Sequence, residues 1–255
     1  MKKPRASSSP LLTRKGYTLL KKLLKFSMLL LVLFVLSMLG YFYTVNSIEP
    51  KRNVSEALIN SHIGGMIMST IEVEGSTATP VIAIPGMNPR LFHEWTPTII
   101  NIADTGRHSS VLMNFNSNPH IKPGKLKPEE FSKIVNEDVM KTHFHAEKVI
   151  IMGKSWGGGQ AIQYALNNPN NVEKLVLVAP ASSSDPLALS KSLGLGTLGF
   201  PVFLAWAEDD PIMPAERARK WKASLGDKLT TYTAKEGGHV ILDEFVKPIA
   251  NFVNS

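Results

Sequence analysis

The sequence predicts an α/β fold with a mostly parallel central sheet and helices on both faces. Three observations predict it. Continuous apolar runs of four to six residues recur from Val81 onward, segments with helical spacing separate them, and a strand–glycine turn–helix junction stands at Gly153-Lys154-Ser155-Trp156-Gly157. Apolar runs that do not alternate suit strands buried on both faces of a parallel sheet. Alternation of such strands with helices is the pattern of an α/β layer architecture.

The chain begins outside that pattern. Residues 1–25 form a basic arm with Lys2, Lys3, Arg5, Arg14, Lys15, Lys21, Lys22 and Lys25 and no acid. Residues 26–45 carry no charge and are rich in Leu, Met, Val and Phe, with Tyr41-Phe42-Tyr43 near the end. About 20 helical residues span roughly 30 Å, the thickness of a bilayer core, and aromatic rings favour its interface. The expectation is one membrane-spanning signal anchor, the arm in the cytosol and the body on the lumenal or extracellular side. A cleaved signal peptide fits less well, because its apolar core is shorter and its cleavage site wants small residues. Residues 46–65 read as a stalk of mixed charge without a period, and Asn53-Val54-Ser55 is a glycosylation sequon close to the expected membrane.

The formal net charge of +7 is a property of the arm, since the remaining 20 Lys and Arg face 21 acids. A near-neutral body does not make a nucleic-acid-binding surface. With no cysteine, disulfides, thiol nucleophiles and thiolate metal ligands are excluded. No metal or other cofactor is expected.

Within the body, 66–255, Met66 to Glu74 alternates like a strand. Val81–Ile84, Ser110–Met113, Val149–Met152, Leu175–Val178 and Val202–Trp206 are the buried-strand runs, and Thr230–Thr233 is strand-like. Helical patterns cover Trp95–Ala103, Pro128–Phe144, Gly158–Leu166, Pro214–Leu225 and Val240–Val253. Neither an internal repeat nor a second domain is visible.

The junction at Gly153 reads G-x-S-x-G between a strand and a helix, the context in which the motif forms a nucleophile elbow with Ser155 at its tip and Gly153 and Gly157 beside it. Gly153-Lys154-Ser155 also mimics the end of a phosphate-binding P-loop, but that motif needs a glycine at 148, where lysine stands. A serine hydroxyl needs a base, and the base is most often a histidine held by an acid. His239 follows Gly237-Gly238 after the strand-like Thr230–Thr233. The acid is sought among Glu208, Asp209 and Asp210, directly after the run Val202–Trp206. The order Ser, acid, His is one of three known chain orders for this constellation.

With these residues in place, the chain resembles the α/β-hydrolase superfamily over residues 66–254. The resemblance implies Ser155 as nucleophile, His239 as base and Asp210 as acid, because Asp210 precedes the family's Pro-Ile-x-Pro-like stretch, here Pro211-Ile212-Met213-Pro214. It implies an oxyanion hole from the backbone N–H groups of Trp156 and of Met87, in the loop Pro85-Gly86-Met87-Asn88. Three positions depart from the family pattern: Pro85 replaces the usual histidine, Lys154 precedes the nucleophile where histidine is common, and Asn114-Phe115-Asn116 stands where Asp-x-x-Gly-x-Gly is frequent. Only about 20 residues, Ala181 to Phe200, separate two strands between which many members insert a lid, so a lidless, open site is expected. The layout is similar to small membrane-anchored α/β-hydrolase-domain proteins.

The function expected is a membrane-anchored serine hydrolase acting on an acyl ester, thioester or amide of a small molecule or lipid, with Phe92, Trp95, Trp156 and Leu187 as candidate walls of an apolar pocket. The alternative is a catalytically idle hydrolase fold tethered to a membrane as an interaction module.

Overall fold

A computed structural model of the chain describes residues 25, 27, 28, 30–32, 36, 53–61, 64–88, 93–115, 122–181 and 199–255. The chain divides into two units, Met1–Pro50 and Lys51–Ser255. In the first, the described residues are helical, and Met28, Leu31 and Leu36 are exposed. Among the described residues no helix is long and apolar enough to cross a membrane. The expected span 26–45 lies largely outside them, as does all of the basic arm except Lys25.

In the second unit, among the described residues, eight strands form one sheet: β1 (Asn53–Ser61), β2 (Gly64–Glu72), β3 (Val81–Ile84), β4 (Ser110–Met113), β5 (Val149–Lys154), β6 (Val172–Val178), β7 (Val202–Ala207) and β8 (Leu229–Ala234). Their spatial order is β1-β2-β4-β3-β5-β6-β7-β8. The β1–β2 hairpin is antiparallel, β2 runs antiparallel to β4, and all pairs from β4 to β8 are parallel. The stretch expected to be a stalk thus contributes the edge strand β1, and the sheet starts thirteen positions earlier than the sequence suggested. Asn-Val-Ser-Glu-Ala-Leu-Ile-Asn-Ser has no two-residue apolar alternation, and an edge strand with a single paired neighbour needs none.

The helices are α1 (Thr96–Gly106), α2 (Pro128–Lys133, continuing as a π-helical stretch Ile134–Phe144), α3 (Trp156–Asn167), α4 (Glu216–Leu225) and α5 (Asp243–Asn254). Each is placed by an apolar stripe at helical spacing. Ile99, Ile102 and Ala103 of α1 and Phe245, Ile249, Ala250 and Val253 of α5 are buried on one face of the sheet. Phe131, Ile134, Val135 and Val139 of α2, Ala161, Ile162 and Ala165 of α3, and Trp221 and Leu225 of α4 are buried on the other.

The strands divide between these two cores by parity. Ile82 and Ile84, Val149 and Ile151, and Val202, Leu204 and Trp206 face the α2–α4 layer. Val81 and Ala83, Ile150 and Met152, and Phe203 and Ala205 face α1 and α5. A side-chain period of two turns each continuous apolar run into two buried faces. At roughly 1.5–3 kcal/mol for each fully buried large aliphatic side chain, these layers dominate the stability of the domain. They also fix which strand ends lie side by side, and so where a site can form.

Candidate active site

Ser155 follows the last residue of β5 directly. Its φ of 52° and ψ of −121° lie outside the regions an L-residue ordinarily adopts. Such a conformation costs of order 1–3 kcal/mol and persists only where the surroundings impose it. Here they do: Ser155 N–H donates to Val178 O of β6 at 3.0 Å, and Ser155 O accepts from Ala181 N at 2.7 Å and Gly159 N at 3.1 Å. Close approach explains the flanking glycines. A methyl group at Gly153 would collide with the carbonyl of Gly157, and one at Gly157 with the carbonyls of Ile84 and Pro85. The elbow is packed on both sides, by its own helix and by the loop after β3.

The acid loop follows β7. Asp210 is 6 % exposed. Its Oδ1 accepts the N–H groups of Ile212 and Met213, both at 2.8 Å, and its Oδ2 accepts His239 Nδ1 at 2.7 Å. A carboxylate can only accept, so Nδ1 carries a proton, and in the neutral ring the lone pair is on Nε2. His239 Nε2 is buried and has no hydrogen-bond partner among the described residues. Trp206 Nε1 donates to Met213 O at 2.8 Å and ties this loop back to β7.

His239 leaves the end of β8 on the turn Gly237-Gly238, whose φ angles of 138° and 66° require glycine. Asp209 holds this turn. Its carboxylate is exposed and accepts Gly238 N–H at 2.8 Å and Gly237 N–H at 3.1 Å. The N–H groups of Gly238 first and Gly237 second hold its carboxyl below the usual carboxylate range. Glu208 is exposed at the same strand end and is joined to β8 through its backbone, Glu208 N–H to Ala234 O at 2.9 Å. Of the three acids, Asp210 alone is bonded to the histidine, and Asp209 supports the backbone that carries it.

The fourth component is the loop after β3. A methyl group built on Gly86 would lie 3.5 Å from Ser155 Cβ, so this loop passes directly beside the serine. Met87 follows, with its side chain 56 % exposed. Trp156 is the first residue of α3, where a backbone N–H has no partner inside the helix. Its ring is half-buried and packs edge-on against Phe115, with centroids 5.3 Å apart. Beside the first turns of α3 lies a groove of about 610 Å³ lined by Pro128, Trp156, Gln160, Gln163, Met213 and Arg217.

Other expected pocket residues fare differently. Trp95 is fully buried in the core against α1 and α5, and its Nε1 donates to Ile84 O at 3.0 Å. It is a packing and anchoring residue, not a pocket wall, because no part of its ring reaches solvent. Phe92 and Leu187 lie outside the described residues, as does the segment 182–198 on which the expectation of a lidless site rests.

The sequence did not foretell a buried ion pair. Lys154, the last residue of β5, is 2 % exposed, and its Nζ lies 2.5 Å from Glu94 Oε2. The two are 60 positions apart, and no local pattern marks the pairing.

Comparison with known proteins agrees with this architecture. Residues 112–195 match the family model of the alpha/beta hydrolase fold. No curated protein matches the chain significantly. Among solved structures, the chain is similar to a predicted CIB-like hydrolase from Thermoplasma acidophilum, with a TM-score of 0.66 and 17 % identity over 80 % of this chain and 99 % of that one. It is also similar to the carboxylesterase CesB of Bacillus subtilis, with a TM-score of 0.57 and 16 % identity over 79 % and 89 %. A third likeness is to a bacterial membrane phospholipase A, with a TM-score of 0.59 and 13 % identity over 94 % and 99 %. At such identities the likeness is one of fold, and the fold hosts many chemistries. With its strand order, its serine elbow after β5 and the family model matched over residues 112–195, the chain has the α/β-hydrolase fold.

Proposed function

We propose that this protein is a serine hydrolase that cleaves an acyl ester, thioester or amide. The observation that carries the proposal is the His239–Asp210 contact of 2.7 Å, with Nε2 buried and unpartnered, at the same strand ends as a serine in a strained elbow. Ser155 Oγ attacks the acyl carbonyl carbon, and its proton passes to His239 Nε2. Asp210 holds the imidazole in the required tautomer and stabilises the imidazolium. The N–H groups of Met87 and Trp156 receive the carbonyl oxygen as it becomes an oxyanion. Collapse of the tetrahedral adduct expels the alcohol, thiol or amine, which takes the proton from His239. Water then hydrolyses the acyl-enzyme by the same steps, releasing an acid.

The mixed lining of the groove beside α3 suits a substrate with both apolar and hydrogen-bonding parts. We further propose that residues 26–45 anchor the protein in a membrane, with the arm in the cytosol and the domain beyond the bilayer. The acid-free basic arm and the exposed apolar side chains of Met28, Leu31 and Leu36 support this reading.

A fluorophosphonate probe tests the chemistry. The folded full-length protein should be labelled, and Ser155→Ala should not. A folded wild type that resists the probe would leave the idle-module reading in its place. Alkaline carbonate extraction tests the anchor: the protein should stay with the membrane, and its release would remove that part of the proposal.

A further inference from the structure

The buried Lys154–Glu94 pair has no role in the chemistry just described, and a buried ion pair is a poor way to gain stability. Removing two charges from water costs several kcal/mol per ion, and an apolar pair of the same volume is often as stable or more so. Such a pair is worth its cost where it imposes one geometry. Its location is informative in that respect. Lys154 is the residue immediately before Ser155, and Glu94 closes the stretch that begins with the loop Pro85–Asn88.

The loop after β3 is held at three points. At its start, Ile84 O accepts the indole N–H of Trp95 at 3.0 Å. Farther along the chain, Glu94, the neighbour of Trp95, is bonded to Lys154 Nζ at 2.5 Å. The stem of Lys154 also passes beside the loop at Gly86, where a methyl group would sit 3.9 Å from Lys154 Cδ and 3.8 Å from Lys154 O. The strand that carries the serine therefore also carries the prop for the backbone that includes Met87.

We propose that Lys154 and Glu94 are positioning residues that hold the loop Pro85–Asn88 at the height where Met87 N–H meets the oxyanion formed at Ser155. The assignment rests on the serine-hydrolase reading above, and it gives Lys154 a task at the position where the family commonly has histidine. Lys154 touches no reacting atom. It acts through the loop, so its loss should weaken transition-state binding and leave ground-state binding alone.

The test uses the full-length protein in detergent and three variants: Glu94→Gln, Lys154→Met and the double variant. The double variant leaves no unpaired buried charge and keeps side-chain volume, and Glu94→Gln keeps a hydrogen-bonding group should the double variant fail to fold. Two readouts are taken on each folded preparation. Amide hydrogen exchange at Gly86, Met87 and Asn88 reports loop order without substrate, and p-nitrophenyl acetate turnover separates kcat from KM. The expected result is faster exchange at these three amides with a kcat lower by about tenfold to a hundredfold in the double variant. KM should stay within about twofold, with a smaller loss in Glu94→Gln. Unchanged exchange and kcat in folded variants of an active wild type would overturn the role of the pair alone. A wild type inert to both p-nitrophenyl acetate and the fluorophosphonate probe would overturn the hydrolase reading, and the catalytic role of the pair with it.

Discussion

The two sides of the candidate site are built by different means. On one side, Asp210 accepts from residues two and three positions ahead, while its bond to His239 and the bonds of Asp209 to the glycines just before the histidine reach from the end of β7 to the end of β8. On the other, the loop Pro85–Asn88 is flanked by the bond of Trp95 to Ile84 O, 11 positions back, and by an ion pair between Glu94 and Lys154 across 60 positions. The first side combines two turn geometries that short motifs encode, brought together by the pairing of the neighbouring strands β7 and β8. The second is a product of packing, since it exists only once β3, β5 and the start of α1 are assembled. Local error on the first side should spoil proton transfer, and error on the second should spoil charge stabilisation.

Substitutions can test that division. Ser155→Ala, which both sides serve, should have the largest effect, about a millionfold on kcat for ester hydrolysis, with thermal stability retained or raised as backbone strain allows. Asp210→Asn should come next. An amide can present N–H to Nδ1 and leave the proton on Nε2, so kcat should fall by about ten-thousandfold while circular dichroism stays unchanged. A loss of only a few fold would mean that another acid can serve.

Trp95→Phe strikes the other side. It leaves the buried carbonyl of Ile84 without its donor, and the free energy of unfolding should drop by about 1–3 kcal/mol in urea titration. If the division holds, a transition-state analogue should lose affinity for this variant while labelling of Ser155 persists at a reduced rate.

Asp209→Ala should have the smallest effect, a severalfold fall in kcat. Its carboxyl lies below the usual range because the N–H groups of Gly238 and Gly237 favour the charged form. Its contribution is therefore present above the ordinary carboxylate range and is lost as pH falls through the depressed folded value. A pH series of exchange rates at Gly237 and Gly238 should show that acid-side loosening in the wild type and not in Asp209→Ala.

Much of this architecture was legible in the chain. The runs Val81–Ile84 and Ser110–Met113 are strands with the expected limits, and Pro128–Phe144 is continuously helical, because burial on both faces and helical stripes each leave a period that does not depend on the partner. β1 was not legible, since Asn53–Ser61 lies at the sheet edge and carries no alternation. At the site, the sequence pointed to Ser155, Asp210 and His239 through motifs a few residues long. It ranked Asp209 as a substitute acid and Trp95 as a pocket wall, and each has another part: Asp209 braces the histidine turn, and Trp95 bonds the end of β3, where the loop Pro85–Asn88 begins.

Sequence alone therefore specified what depends on neighbours in the chain: the period of each element, the glycines that an elbow needs, the order serine, acid, histidine, and the charge asymmetry of the first 45 residues. Tertiary structure decided what depends on neighbours in space. It paired Lys154 with Glu94 across 60 positions, sorted three adjacent acids into one that bonds the imidazole, one that bonds the turn and one that does neither, and drew residues 53–61 into the sheet. The physical reason is the same in each case: a hydrogen bond or ion pair is set by the distance between atoms, and for residues far apart in the chain only the folded sheet sets that distance.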